Sequence, residues 1–321
     1  MFNINFVFDR RFRGNTPDTS VYHAQYRNID KFSFSDSLKL SGQASDAGFV
    51  LLQKVFHKLK FSAEAFLVFI SASTFLFYLI ACDNFKVNRI YFFIFYLSSI
   101  FFIGQFTTIR HELATSALFA GISMQNNKKY YLKIIFFVIS ILIHYSIAIV
   151  LPLVFLVLKN TSLAFKIFNS SLYFIFLKYI LNEKLSYFER LSSVFEPTSN
   201  NNFFFSFLNL STLKNVILIV FFTMLFMKMK KSKISIIFFH LCIYGLLFRI
   251  IFFDVVTIGS RIGNILNHSE IFLLASCLQY FRKEIRILIF LIYSLCSMLV
   301  FLKVVDRNFI TKYFEPINSI Y

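Results

Sequence analysis

The chain has 321 residues, of which 57% are apolar and only 15% charged, with 48 Phe, 16 Tyr and no Trp; its mean hydropathy is +0.67. Soluble globular domains carry about 25% charged residues, and a chain this apolar has more greasy surface than one compact core can bury, so an ordinary soluble domain is excluded and a membrane protein is expected. Eight Gly and four Pro are too few for collagen-like or disordered classes. The net charge of +17 would suggest nucleic acid in a soluble protein. Here most Lys and Arg stand in short connections between apolar runs, where they act as topology signals, and no nucleic-acid partner is expected. The Phe excess matches a chain encoded by AT-rich codons, since Ile, Asn and Lys are plentiful too. Cys82, Cys242, Cys277 and Cys296 lie inside apolar stretches without CxxC spacing, which points to packing residues instead of disulfides or a thiolate metal site.

Along the chain, Met1 to Phe8 is too short for the apolar region of a cleavable signal and runs into Asp9, Arg10 and Arg11. Residues 1–60 read as a polar segment with two short helices. One is opened by Thr16, Pro17 and Asp18, the other by Ser45 and Asp46, residues that favour N-cap and first-turn positions. In the second, Phe49, Leu52, Phe56 and Leu59 recur at helical spacing, so it is expected to lie along the membrane surface. A bilayer core about 30 Å thick needs roughly 20 apolar helical residues. By that yardstick the spans are 61–82, 87–106, 107–125, 163–181, 212–229, 234–253, 258–280 and 284–302. A loop over 182–211 and a tail over 303–321 complete the domain plan around a transmembrane body of 61–302.

The run Tyr130 to Leu158 would make a helix about 43 Å long, too long for one upright span and short for two. Charge placement decides for a hairpin near His144 to Ser146. With it, one membrane face collects fourteen basic loop residues, among them Lys86, Arg89, Arg282, Lys283 and Arg286, against seven on the other: Arg110, Lys178, Lys184, Arg190, Lys214, Arg249 and Arg261. A single span levels the bias that inner loops normally show. The fold expected is therefore all-α: a polytopic integral membrane protein with about ten transmembrane helices, counting the hairpin as two.

Ionisable groups inside apolar spans are costly, so each is a candidate site. Arg110 opens Thr107-Thr108-Ile109-Arg110-His111-Glu112-Leu113-Ala114. There Thr108, Glu112 and Thr115 share one helical face, while Ala114, Ala117 and Gly121 form a strip for close packing. An arginine at a helix end can also snorkel to headgroups. His111-Glu112 lacks the second His of a zinc-peptidase helix, since position 115 is Thr. Arg261, Asn264 and His268 fall at i, i+3 and i+7 and give a polar stripe, with Asp254 as an alternative partner for the arginine. Guanidinium is always charged, and its planar fork suits phosphate oxygens. His144 stands at the hairpin turn on the same face as both arginines, while His240, deep in its span, reads as core. Asp18, Tyr22 and Tyr26 would line one face of the first short helix, where rings beside polar groups suit sugar binding. No paired-carboxylate metal motif is present, so no metal or other cofactor is expected.

The segments IRHELA (Ile109 to Ala114) and LIHYSIAIVLPL (Leu142 to Leu153), in that order, resemble the EpsG-like family of bacterial polysaccharide polymerases, a branch of the Wzy-type O-antigen polymerases. FRGNTPDTSVYHAQY (Phe12 to Tyr26) with SDAGFVLLQKVF (Ser45 to Phe56) is similar to the family's extracytoplasmic segment, and SRIGNIL (Ser260 to Leu266) to its late arginine helix. Family members begin with a further membrane helix ahead of these segments. The resemblance implies a metal-independent glycosyltransferase of the bacterial inner membrane. It would transfer oligosaccharide repeat units between undecaprenyl-diphosphate-linked chains on the periplasmic side, in contact with membrane lipid and with a chain-length regulator and flippase of the same pathway, and residues 1–60, the 182–211 loop and the 303–321 tail would then be extracytoplasmic. It implies Arg110 and Arg261 as the diphosphate clamp, His144 as base with Glu112 as the carboxylate alternative, and Asp18, Tyr22, Asp46, Asn264 and His268 as substrate-binding residues. A lipid-linked oligosaccharide flippase and a membrane sugar acyltransferase are the rival readings; the first would be expected to show two similar halves, and no internal repeat is found.

Overall fold

The computed structural model describes residues 17–31, 46–106, 108–125, 129–159, 161–183, 210–228, 232–252 and 256–304. Among them every regular element is helical: α1 (Pro17–Asn28) with a short 3-10 turn (Ile29–Lys31), α2 (Ala47–Lys58), α3 (Ala63–Phe85), α4 (Arg89–Ser99), α5 (Phe101–Phe106), α6 (Ile109–Met124), α7 (Tyr130–Ile143), α8 (Ser146–Leu158), α9 (Leu163–Glu183), α10 (Leu210–Lys228), α11 (Lys233–Ile251), α12 (Val256–Asn267), α13 (Ser269–Leu278) and α14 (Lys283–Val304). Nearly all of the expected 182–211 loop and 303–321 tail lie outside the described residues, as does Asp254.

Two helices, α3 and α11, are long and apolar enough to cross a bilayer; α7, α8 and residues 211–226 of α10 are apolar but shorter. Several runs that are continuous in hydropathy are interrupted in backbone. The 87–106 run divides at Ile100, although Ile100 N still bonds Tyr96 O at 3.0 Å and Gly104 N bonds Ile100 O at 2.7 Å. The 258–280 run divides at His268. The 130–158 run breaks at His144, whose extended φ of −154° and ψ of 104° end α7, leaving helices of 14 and 13 residues, each only about 20 Å long at 1.5 Å per residue.

The chain divides into two compact units, the first Met1–Asn84, Phe93–Tyr145 and Ile287–Tyr321, the second Phe85–Phe92 and Ser146–Arg286. In the first, α6 is buried along almost its whole length. Its small-residue strip receives α7: a Cβ on Gly121 would stand 2.7 Å from the Phe137 ring, and Ser140 Oγ donates to Ala114 O at 2.7 Å. Helix α2 crosses α7 so closely that a Cβ on Gly48 would meet the Leu142 carbonyl oxygen at 2.7 Å. The face of α2 that is buried is Phe49, Val50 and Gln53, while Leu51, Val55 and Leu59 are exposed. This differs from the expected stripe, because α2 packs protein on one side: Phe49 and Phe56 both meet Phe66 of α3, at 5.5 and 5.4 Å. Tyr26 of α1 stacks on Phe66 at 5.3 Å and donates its hydroxyl to Phe61 O at 2.8 Å, so it anchors α1 and offers no ring to a sugar.

In the second unit α11 and α12 cross over Gly245 and Gly263, where a Cβ on either glycine would stand 3.0 Å from the other's carbonyl oxygen. Helices α10 and α13 are joined by the buried ion pair Lys214 Nζ to Glu270 Oε1 at 2.5 Å. Tyr173 of α9 donates to Ile149 O of α8 at 2.6 Å.

Candidate active site

In the first unit four of the sequence candidates meet. Arg110, in the first turn of α6, donates from Nε to Tyr22 Oη of α1 at 3.2 Å, and its Nη1 lies 3.7 Å from Asp46 Oδ2. The guanidinium also sits over the Tyr22 and Phe49 rings, 5.5 and 5.6 Å from their centroids, a cation–π seat that holds its plane. Asp46 occupies the N-cap position of α2 with φ −69° and ψ 132°, yet its side chain makes no capping bond to its own helix. Its carboxylate turns outward instead: Oδ1 accepts the Tyr145 N–H at 3.1 Å and Oδ2 stands 3.1 Å from His144 Nδ1. The chain break after α7 makes this possible, because an extended His144 presents both its ring and the next backbone N–H to one carboxylate.

The Asp46 side chain is only 3% exposed and the Arg110 side chain 19%. A carboxylate so far removed from water must be surrounded by donors, and here it has three from two other elements. The arrangement also selects a tautomer. A carboxylate oxygen accepts, so His144 Nδ1 carries the proton. Nε2, buried and without a hydrogen-bond partner among the described residues, then holds a free lone pair. His111 of α6 lies edge-to-face with His144 at 5.3 Å.

Glu112 is not part of this cluster. It faces the other side of α6, fully buried, where Tyr78 Oη donates to Oε1 at 2.8 Å, Tyr96 also bonds the carboxylate, and Gln105 Nε2 donates to Tyr96 Oη at 3.0 Å. A Cβ on Gly104 would stand 2.6 Å from Oε2, so the carboxylate lies directly against the backbone of α5. Thr115 Oγ1 bonds back to His111 O at 2.8 Å; the expected polar face of α6 thus packs against protein. Asp18 belongs to α1, but its side chain lies outside the described residues.

The other stripe lies in the second unit. Arg261 is half-buried and makes no hydrogen bond or ion pair among the described residues. Asn264 accepts from Arg249 Nη2, and His268 Nδ1, 2.7 Å from Asn264 O, donates back to its own helix. Arg249, which sequence reasoning used only in counting charge, is the better-held arginine of this unit, with Nη1 donating to Ser211 Oγ at 2.7 Å. Phe49, His111 and Tyr145 N–H were also missed as parts of the first cluster. For Phe49 the signal was its place one turn beyond Asp46; for Tyr145 there was none. Among the described residues no three His, Cys, Asp or Glu side chains gather as a metal site.

A model described as the EpsG family matches residues 4–315. No curated protein and no solved structure matches the chain.

Proposed function

The chain belongs to the EpsG family, and from that premise we propose that it is a polysaccharide polymerase of the bacterial inner membrane, a multi-pass protein of about ten spans acting on repeat units carried by undecaprenyl diphosphate. The observation that carries the reading is the Asp46–His144 pair beside Arg110. The sugar hydroxyl of one unit attacks the anomeric carbon of another. A new glycosidic C–O bond forms, the bond from the anomeric carbon to the phosphate oxygen breaks, and the lipid diphosphate leaves with the electron pair. His144 Nε2 takes the hydroxyl proton, Asp46 holds the ring in the tautomer that can accept it, and Arg110 meets the charge that develops on the departing diphosphate. Tyr22 and Phe49 fix the guanidinium, which lowers the cost of ordering it at the moment of reaction. No metal is required by this scheme, since the leaving group is stabilised by a fixed cation. A chain-length regulator and a flippase of the same pathway are its expected partners.

The test replaces Arg110 by Ala and His144 by Gln in a polymerase-null strain and reads the polysaccharide ladder at matched protein levels. Loss of polymer with intact lipid-linked single units supports the reading. Full-length ladders from both variants would overturn it, and loss of only an acyl group from the glycan would move the protein to the acyltransferases.

A further inference from the structure

We propose that the corner where α4 and α14 begin is a binding site for the headgroup of an anionic phospholipid of the surrounding leaflet. Over residues 83–91 and 280–286 five cations, Lys86, Arg89, Arg282, Lys283 and Arg286, stand against Asp83 and Glu284. The two stretches meet: Arg286 Nη1 donates to Tyr91 Oη at 2.6 Å, its Nε donates to Phe281 O at 2.6 Å, and its guanidinium lies 5.8 Å from the Tyr91 ring centroid. That clamp sets the first turns of both helices side by side, so the positive ends of two helix dipoles add to the field, although Asn88 Oδ1 caps α4 by accepting the Tyr91 N–H at 3.2 Å. Lys86, Arg89, Arg282 and Lys283 are exposed around it.

Two features point to a lipid in preference to a soluble anion. First, the corner adjoins the end of α3, one of the two helices long and apolar enough to cross a bilayer, which places the cations at headgroup depth. Second, exposed Ile90, Tyr280 and Ile285 lie among the cations, an apolar and aromatic setting that suits the headgroup–acyl boundary. Clusters of this size beside a span attract anionic lipid, each Lys or Arg strengthening association about fivefold.

The full chain in detergent is titrated with a fluorescent phosphatidylglycerol and with its phosphatidylcholine counterpart. Phosphatidylglycerol should bind more tightly, and Arg89→Gln/Lys283→Gln should reduce that preference by about 25-fold. The control Lys129→Gln/Lys159→Gln, which removes the same charge elsewhere, should leave it unchanged. Equal binding of the two lipids by the unmodified chain would overturn the proposal, as would an equal loss in the control. Should the first variant not fold, the salt series of the unmodified chain decides. A preference carried by exposed charges falls away by about 1 M salt, where the screening length is about 3 Å, and a preference that survives would refute the site.

Discussion

Replacing Asp46 by Asn changes one atom and removes one charge, and its consequences can be followed donor by donor. The carboxylate serves Tyr145 N–H and His144 Nδ1 at 3.1 Å each, with Arg110 Nη1 at 3.7 Å. An amide of the same shape has one acceptor oxygen. If that oxygen keeps the backbone N–H, the amide NH2 faces His144 Nδ1, which must then accept, and the ring proton moves to Nε2. The lone pair meant for the substrate hydroxyl is gone. General base catalysis contributes about 10² to 10⁴ in rate, or about 3 to 5 kcal/mol of barrier. If instead the oxygen keeps His144, Tyr145 N–H is orphaned at a stability cost of about 1 to 3 kcal/mol. The lost attraction to Arg110 is worth about 1 to 4 kcal/mol between water-like and protein-like screening, the lower end applying because the arginine keeps some contact with water. The expected outcome for Asp46→Asn is thus a modest fall in thermal midpoint and a rate fall of at least about 100-fold, measured with the purified protein and a lipid-linked repeat unit. A folded variant that polymerises at the unmodified rate, while His144→Gln is dead, would refute the orienting role of Asp46.

Three further outcomes follow from the packing. Gly48→Ala drives a Cβ into the Leu142 carbonyl oxygen, so α2 must lift from α7 at a cost of about 1 to 3 kcal/mol; thermal unfolding should show the loss, and polymer should fall with it because Asp46 moves too. Glu112→Gln keeps an acceptor for Tyr78 and should polymerise normally per folded molecule, whereas Glu112→Ala orphans the buried hydroxyls of Tyr78 and Tyr96 and should cost about 1 to 3 kcal/mol for each in unfolding experiments. A folded but inactive Glu112→Gln would return the base role to that residue. Arg261→Ala breaks no hydrogen bond among the described residues and should leave the unfolding free energy within about 0.5 kcal/mol of the original; loss of polymer at that unchanged stability would assign Arg261 to substrate, while a large destabilisation would show a structural role.

The candidates themselves were legible because a charged or titratable side chain in an apolar run has few reasons to be there. Their convergence was not. Asp46 and His144 are 98 positions apart, and no local pattern links an N-cap carboxylate to a histidine at a helix end. Glu112 shows the converse limit: it lies two residues from Arg110, but two residues on a helix are about 200° apart, so nearness in sequence means opposite faces. The stripe on α2 was legible in part: Phe49 and Phe56 pack on Phe66, while Leu59 is exposed with Leu51 and Val55, because hydropathy does not distinguish burial against protein from exposure to lipid. The break at His144 was readable from length and charge together, whereas those at Ile100 and His268 were hidden, since hydropathy is blind to backbone angles.

The outward turn of the Asp46 carboxylate leaves α2 without the side-chain cap that an aspartate in that position normally supplies, a contact worth about 1 kcal/mol. The same oxygens instead tie the start of α2 to the end of α7, 98 positions away in the chain. The helix end is therefore only as well held as the site is complete, and a variant that removes His144 loosens α2 as well as the chemistry.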